Sequence, residues 1–421
     1  MPDQTSKPKH FTHHRFYPWA AISLSAAFLF YKYILQVSPS VMTDHLMAEF
    51  HLDGAGLGNL AACFFYAYFI TQLFVGVLLD RLSTRLLTAL AIAVSALGAY
   101  LFGAAHTEFV AGTARFLMGV GSAFATVSYM KVAAIWFRQD QFAFVGGLLA
   151  TAAMIGAVFG QAPLAMLVSC VGWRETMSGV GILGLLVALL FVFIVHDRPR
   201  YPNLRVAHEF KHGFTMAEFW QMLRNPQNWI LTFYGGLCFS PLAVFGGLWG
   251  TPFLKVAYHL DNTQAASYVS LVFVGLAFGG PLLGLLSDRL GQRKRVMVLS
   301  SVVSLLALLM ALYGGLSLWL LAVMLFVFGF TTGAFMLSFA VARDINKLAL
   351  AACAASLINS GDAILGSFTE PMIGKFLDLG WDKVTVNGVP QFSLHDFYYA
   401  FIPLPLYVLI GLVLVLFLKD R

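Results

Sequence analysis

Five ionisable side chains stand inside the long apolar stretches of this 421-residue sequence. Two are acids, Asp362 and Glu370, and three are cations, Lys32, Arg115 and Lys131. A carboxyl group removed from water takes up a proton more readily than one in solution, and a poorly hydrated cation pairs strongly with anions. The five residues therefore suggest two kinds of chemistry, proton binding and anion binding. Whether they can perform either depends on the structural elements that position their side chains.

Composition places those elements in lipid. Of the 421 residues, 59% are hydrophobic and 11% are charged, against about 25% charged in an ordinary soluble domain. Apolar runs of the roughly 20 residues that span a bilayer follow one another from residue 18 to residue 418. A charged residue in such a run costs roughly 2.5–3.5 kcal/mol on insertion scales, so each of the five is a functional candidate.

Other chemistry finds little support in the sequence. The four cysteines lie in apolar runs without CxxC spacing, which argues against a disulfide framework or a metal site. The histidines are scattered without an HExxH pattern, and no P-loop occurs. We therefore predict no cofactor, no metal and no enzymatic activity.

The apolar runs predict an all-α membrane protein with twelve transmembrane helices in two sets of six. The predicted divisions are a tail at 1–17, a six-helix bundle at 18–196, a connecting loop at 197–228, a second six-helix bundle at 229–418 and a tail at 419–421. Within the connecting loop, Thr215 and Glu218 are spaced as a capping box that opens a short amphipathic helix.

Basic residues orient the predicted spans. Of the 26 lysines and arginines, 19 fall in segments on one side and 4 in segments on the other. Such a bias puts the richer side, with both termini, in the cytoplasm. The net charge of +6 then reflects membrane topology and not nucleic-acid binding. Short loops and few cysteines favour a bacterial inner membrane.

One motif occurs twice, at the same place in each predicted half. The first copy contains Gly76, Asp80, Arg81 and Arg85. The second contains Gly284, Asp288, Arg289 and Arg293. The copies are 208 residues apart, about half the chain, and internal symmetry of this kind is typical of transporters built from two repeated halves.

The pattern G-x-x-x-D-R-x-G-x-R resembles the cytoplasmic loop signature of the major facilitator superfamily of bacterial-type secondary transporters. The second copy matches it fully, and the first has Ser83 where the family prefers glycine. The run from Arg115 through Gly119 to Gly121 is similar to the family's R-x-x-x-G-x-G signature. The resemblance implies two pseudo-symmetric bundles, with the repeated motif as a latch on the inner gate; it does not resolve a subfamily.

The two acids share the eleventh predicted span, and both are predicted to take part in proton coupling. Asp362 lies at its middle and is our first candidate for a group that loads and releases a proton. A fixed ion pair between Asp362 and Lys32 is the alternative. Glu370, beside a proline near the outer end, is the second candidate, and it could instead be an outer-gate residue.

The three cations differ in their predicted roles. Lys32 lies past the middle of the first span and is predicted to face a central cavity, although it could instead reach the outer interface. Lys131 is predicted to line the cavity or to reach the cytoplasm. Arg115 is predicted to bias a nearby proton site or to hold helix packing. The other residues predicted to contact a substrate are Tyr33, Gln36, Tyr68, Tyr129, Trp249 and Asn359.

The sequence therefore predicts a secondary active transporter for a small polar metabolite. Three cations against two acids favour an anionic or zwitterionic substrate, such as an organic acid, an amino acid or peptide, or a siderophore. Proton symport by alternating access is the preferred mechanism. The alternatives are an uncoupled facilitator or exporter of the same fold, and a non-transporting membrane sensor. The predicted partners are a small-molecule substrate, protons and the lipid bilayer, without nucleic acid, and the predicted state is a monomer.

Overall fold

The structure is a computed structural model that describes residues 16–137, 139–197, 216–347 and 350–419. These residues are almost entirely helical. In the first half the helices are α1 Tyr17–Val37, α2 Thr43–Phe50, α3 Gly54–Arg81, α4 Thr84–Gly103, α5 Glu108–Ser122, α6 Ala125–Trp136, α7 Gln139–Phe159, α8 Ala162–Val171 and α9 Trp173–Ile194.

A short connecting helix, α10, precedes the second half. The remaining helices and their bounds are α10 Met216–Arg224, α11 Pro226–Val244, α12 Gly250–Tyr258, α13 Asn262–Leu290, α14 Arg293–Tyr313, α15 Leu318–Thr332, α16 Leu337–Ile345, α17 Ala351–Gly380, α18 Leu394–Ala400 and α19 Pro403–Leu416. Two short strands, β1 Thr385–Val386 and β2 Val389–Pro390, pair antiparallel between α17 and α18.

Eleven segments among the described residues are long and apolar enough to cross a membrane, judged by length and composition. The twelfth long helix is α17, whose 30 residues include Asp362, Glu370 and Lys375 and are correspondingly more polar. This helix packs against α3 of the first half and α11 of the second. The predicted all-α fold of twelve helices in two halves is confirmed.

Several spans are interrupted where the two halves meet. A 3-10 turn, Ser38–Val41, follows α1, and a π-helical segment, Phe245–Trp249, joins α11 to α12. Helix α7 ends before Gly160, where a Cβ atom would lie 2.4 Å from Cγ2 of Val37. Irregular backbone at membrane depth is tolerated where it is buried in protein or lines a cavity. These breaks release carbonyl groups that can be used by the opposite half.

The buried core joins the halves at one end. We refer to the end that carries residues 38–58 and 370–380 as the outer end, following the orientation predicted from the basic residues. One apolar cluster runs through the first half and into the outer part of the second half. A second cluster, which includes Met297, Ala342 and Ile358, fills the inner part of the second half. Among the described residues, the halves therefore share a core at their outer end.

The predicted amphipathic helix between the halves is present as α10. Lys347 donates a 2.6 Å hydrogen bond to Glu218 and so ties α10 to the second half. Thr215 of the predicted capping box lies outside the described residues. So do the predicted N-terminal tail as far as residue 15, most of the predicted connecting loop, and residues 420–421.

Candidate functional site

Lys32 lies in the outer part of α1 and is almost completely buried, with 5% of its surface exposed. Its Nζ atom lies 3.7 Å from the ring centroid of Tyr33 and 5.2 Å from that of Tyr68. An ammonium over aromatic faces is stabilised by cation–π attraction, and more so where water is scarce. Lys32 thus points into the protein and does not reach the outer interface, which was the alternative from the sequence.

Asp362 faces Lys32 from the other half of the molecule. The carboxylate on α17 and the ammonium on α1 interact electrostatically, yet their polar atoms are more than 4.0 Å apart and form no ion pair. Asp362 is also partly exposed. The two opposite charges therefore face each other across the boundary of the halves without the direct contact that a fixed ion pair requires.

Neutral polar groups complete the surroundings of these two charges. The hydroxyl of Tyr68, on α3, interacts with Asn359 on α17 and with Thr126 on α6. Gln36 lies one turn along α1 from Lys32, and its buried Oε1 atom has no hydrogen-bond partner in the structure. We define the central site as Lys32, Tyr33, Gln36, Tyr68, Asn359 and Asp362.

A second pair of opposite charges lies toward the outer end. Arg115, on α5, is 1% exposed and donates to the carbonyl of Leu35 at 2.6 Å and to that of Ala61 at 3.2 Å. Glu370, on α17, is 2% exposed, and its Oε2 atom has no hydrogen-bond partner. The two side chains interact electrostatically across the halves without a direct ion pair. We call them the outer pair.

The glycines that follow Arg115 explain why its motif has that spacing. A Cβ atom at Gly119 would lie 2.2 Å from the carbonyl oxygen of Phe64, and one at Gly121 would lie 2.1 Å from that of Ala91. Only glycine allows α5 to lie this close to α3 and α4. Arg115 then reaches both α1 and α3, so its position supports helix packing, one of the two predicted roles.

Two residues predicted to contact a substrate are engaged elsewhere. The hydroxyl of Tyr129 donates a 2.7 Å hydrogen bond to the carbonyl of Val145 and is buried within the first half. The ammonium of Lys131 donates to the carbonyl of Leu79 at the inner end of α3. Both are on the predicted helix, but their polar groups serve packing inside the first half. The structure therefore does not bring them into the central site.

Trp249 also lies outside the central site. Its indole Nε1–H donates a 3.1 Å hydrogen bond to the backbone carbonyl of Glu370, and its side chain is 1% exposed. It ends the π-helical segment Phe245–Trp249. The structure thus places Trp249 at the outer end of the bundle, in contact with α17, and not among the residues around Lys32.

Polar contacts across the halves concentrate at the outer end. The carboxylate of Asp378, at the end of α17, accepts 2.7 Å hydrogen bonds from the backbone N–H groups of Gly54 and Ala55 at the start of α3. Among the residues that the structure describes, the other contacts between the halves are Gln161 to the carbonyl of Gly246 at 2.5 Å, Asn262 to the carbonyl of Val41 at 2.7 Å, and the ion pair between Lys255 and Asp44. Sequence reasoning missed these residues because none belongs to a motif.

The inner end of the protein lacks the close contacts between the halves that the described residues make at the outer end. A Cβ atom at either Gly76 or Gly284 would meet nothing within 4 Å, so no described helix packs closely against either glycine of the repeated motif. Leu73 and Phe74, on the inner half of α3, are 59% and 58% exposed. Among the described residues, the close contacts between the halves therefore lie mainly at the outer end.

The charged residues of the repeated motif contact their own halves. Arg293 pairs with Asp344 and lies 3.7 Å from Asp288, all in the second half. The backbone N–H of Arg85 donates a 2.9 Å hydrogen bond to Asp197 in the first half. Arg81 and Arg289 are exposed, and the side chain of Asp80 lies outside the described part. The predicted latch thus stays a prediction.

The architecture defines the class of this protein: a helical multi-pass membrane protein of two six-helix halves around a polar central site. The sequence model of the Major Facilitator Superfamily matches residues 20–368 and 242–421. The chain belongs to this superfamily. Its similarity to relatives that are named as probable transporters agrees with the expectation that it is not an enzyme.

Three curated relatives are similar over much of the chain. The probable sulfoacetate transporter SauU of Cupriavidus necator is 25% identical over 63% of each chain. The probable L-galactonate transporter of Escherichia coli is 26% identical over 61% of this chain and 58% of its own. The probable galactarate/D-glucarate transporter GudP of Bacillus subtilis is 25% identical over 81% of each. The chain thus spans less than two thirds of the length of the first two.

Solved structures agree on the fold. The bacterial homolog of the human lysosomal transporter Spinster, in its inward-facing and occupied conformation, superimposes with a TM-score of 0.78 at 16% identity. The alignment covers 96% of this chain and 97% of that one. At this identity the likeness supports the architecture alone.

Proposed function

We propose that this protein is a secondary transporter that moves a small organic anion across the membrane in symport with protons. The observation that carries the proposal is the position of Lys32 and Asp362, on opposite halves and facing each other without an ion pair. The relatives add support, since sulfoacetate, galactonate and galactarate in their names are all organic acids.

Lys32 is the anion-binding group. Its ammonium makes no hydrogen bond to the described residues and is held over Tyr33 and Tyr68. A carboxylate or sulfonate at this position would supply the charge-assisted hydrogen bonds that the ammonium lacks. Gln36 and Asn359 supply neutral donors and acceptors for the rest of the substrate.

Asp362 couples the anion to a proton. While its carboxylate is ionised, it competes with an incoming anion for Lys32 and repels that anion. Protonation removes both effects, so proton binding and anion binding favour each other. Because the two residues lie on opposite halves, the same step also weakens an attraction between the halves and allows them to move apart.

The outer pair extends the coupling to the outer gate. Ionised Glu370 attracts Arg115 across the halves near the outer end and so favours outer closure. Protonation of Glu370 from the outside would weaken that attraction and favour opening, and the proton would return to the outside when this end closes, so that only the proton on Asp362 crosses the membrane. Alternating access then consists of opening this end while the inner end, with the repeated motif, closes.

Purified protein in liposomes tests the proposal. With an inward-directed proton gradient, labelled organic acids should accumulate inside the vesicles above their outside concentration. Asp362→Asn should abolish accumulation but retain exchange of labelled for unlabelled substrate, whereas Asp382→Asn, at an exposed outer position, should behave as wild type. Uptake that only equilibrates in the wild type would indicate an uncoupled facilitator. Binding without any flux would indicate the sensor alternative.

A further inference from the structure

The charges around the central site limit the number of negative charges that a substrate can carry. The sequence places three cations inside the long apolar stretches, namely Lys32, Arg115 and Lys131, and the last two contact backbone carbonyls of the first half. Arg115 faces Glu370 and donates from two of its nitrogens to the carbonyls of Leu35 and Ala61, while its Nε has no hydrogen-bond partner among the described residues. Lys131 donates to the carbonyl of Leu79. Of these three cations, Lys32 is therefore the one that remains for a substrate.

We infer that the substrate carries a single negative charge and moves together with one proton, so that each transport cycle is electroneutral. This inference rests on the proposed function of proton-coupled organic-anion transport. On this inference, the central site selects substrates by the number of acidic groups that they carry.

The charge balance of the central site supports one negative charge on the substrate and one proton per cycle. The empty site holds one cation, Lys32, and one anion, Asp362, and is neutral. When Asp362 is protonated and a monoanion binds to Lys32, the loaded site is neutral as well. Both forms must reorient across a region of low dielectric, where an uncompensated charge is most costly. A monoanion with one proton leaves no such charge in either form.

A dianion would need a second compensating group, and the central site does not offer one. Tyr33 and Tyr68 face Asp362 with neutral phenols, and Gln36 and Asn359 are neutral amides. Glu370, buried in α17, faces Arg115. The ionised pair is already neutral, and a proton on Glu370 would leave the charge of Arg115 uncompensated and would not offset a second charge on the substrate. The second acidic group of a dianionic substrate would lie in the central site near Asp362, without a cation to balance its charge.

The neutral polar groups of the central site also indicate the chemistry of the rest of the substrate. Phenol and amide groups donate and accept hydrogen bonds with hydroxyl groups, and they are arranged on both sides of Lys32, on α1, α3 and α17. A hydroxy acid with one carboxylate or one sulfonate satisfies them. A zwitterion would instead put an ammonium beside Asp362, which would make the proton unnecessary.

Matched pairs of compounds test the inference in proteoliposomes. Each pair has a similar skeleton with one or two acidic groups: galactonate and galactarate, gluconate and glucarate, and isethionate and sulfoacetate. We expect proton-driven uptake of at least one monoanion to exceed uptake of its dianionic partner at least tenfold. That uptake should respond to a pH gradient and remain unchanged when a potassium diffusion potential is imposed with valinomycin.

The outcomes are distinguishable. Preferred uptake of a dianion, or uptake driven by the membrane potential, would overturn the inference and leave organic-anion transport standing. Uptake of a neutral amino acid or dipeptide in place of all six acids would overturn the proposed function as well. Failure to move or bind any compound of these classes would do the same.

A variant gives an independent readout. In Asp362→Asn the loaded site stays neutral, but the empty site carries the uncompensated charge of Lys32. Exchange of the preferred monoanion should therefore persist and lose its dependence on pH, while net uptake stops. Exchange that keeps the wild-type pH dependence in this variant would contradict the assignment of the proton to Asp362, and Asp382→Asn controls for loss of a surface charge.

Discussion

Asp378 caps a helix of the opposite half: its Oδ1 atom accepts a 2.7 Å hydrogen bond from the backbone N–H of Gly54. Its second oxygen accepts from the next residue at the same distance. The first N–H groups of a helix have no partner within the helix, and a carboxylate also interacts favourably with the positive end of the helix dipole. The contact thus fastens α17 to α3 only while the outer end is closed.

Asp378→Asn should therefore shift the protein toward the outward-open state. Asparagine keeps one acceptor oxygen but loses the second hydrogen bond and the negative charge at the positive end of the helix dipole, a loss of about 1 kcal/mol, which corresponds to a roughly fivefold change in the ratio of the two states. Spin labels on cysteines introduced at the exposed positions His45 and Asn387, in a background without native cysteines, report the distance across the outer end by pulsed electron resonance. Asp382→Asn serves as the control, and an unchanged distance distribution in Asp378→Asn would show that the cap is incidental.

Close backbone contact supports the same closure. A Cβ atom at Gly58 would lie 2.5 Å from the carbonyl oxygen of Glu370 and 2.6 Å from Cα of Pro371. Gly58→Ala should thus prevent full closure of the outer end and lower transport by at least tenfold, while the protein still folds. Gly179→Ala is the matched control, since a Cβ atom there would meet nothing within 4 Å. Wild-type transport by Gly58→Ala would mean that α3 and α17 can separate here without consequence.

The parts of the fold that follow from composition could be predicted from the sequence. Lipid requires long apolar helices, and the twelve spans follow from that requirement. The repeated motif is recognised separately, from its recurrence at the same place in each half. Lys32 and Asp362 could be found because a charge in lipid is costly and is kept only where it has a use. The structure then puts the two on facing helices of opposite halves.

The direction of a side chain could not be predicted in the same way. On a helix in lipid, both the lipid-facing and the protein-facing sides are apolar, so periodicity does not reveal which side faces a cavity. Tyr129 and Lys131 are on the predicted span, yet their polar groups contact Val145 and Leu79. Asp378 and Gly54 are 324 residues apart, and no local pattern indicates that they meet.

Arg115 is expected to matter for stability as well as for coupling. It joins α5 to both α1 and α3 through two backbone carbonyls, and a lysine cannot reproduce this fork. Arg115→Lys should lower the free energy of unfolding by roughly 1.5–3 kcal/mol, the contribution of one hydrogen bond to a charged group. Thermal unfolding in detergent measures the loss. Arg224→Lys, at an exposed position, should leave the transition unchanged, and equal stability of both variants would assign Arg115 to coupling alone.

Lys32 is expected to contribute most of the charge recognition of the substrate. Lys32→Gln removes the ammonium but keeps a polar side chain of similar reach, and the loss of one charged hydrogen bond should weaken binding by roughly 1.5–3 kcal/mol, or about 10- to 150-fold in the dissociation constant. Titration calorimetry with the best-transported monoanion measures this change. Lys383→Gln is the matched control, because Lys383 lies against Trp381 on the outer surface.

Thermal stability provides a second measure of the same variant. A ligand at about 100 times its dissociation constant stabilises the folded protein by roughly 2.7 kcal/mol, so the wild type should unfold at a higher temperature with the monoanion present. That shift should largely disappear in Lys32→Gln and persist in Lys383→Gln. If Lys32→Gln binds the monoanion as tightly as the wild type, the anion contacts another group and Lys32 serves only to balance Asp362. The substrate would then bind at another position along α1 and α17, outside the central site.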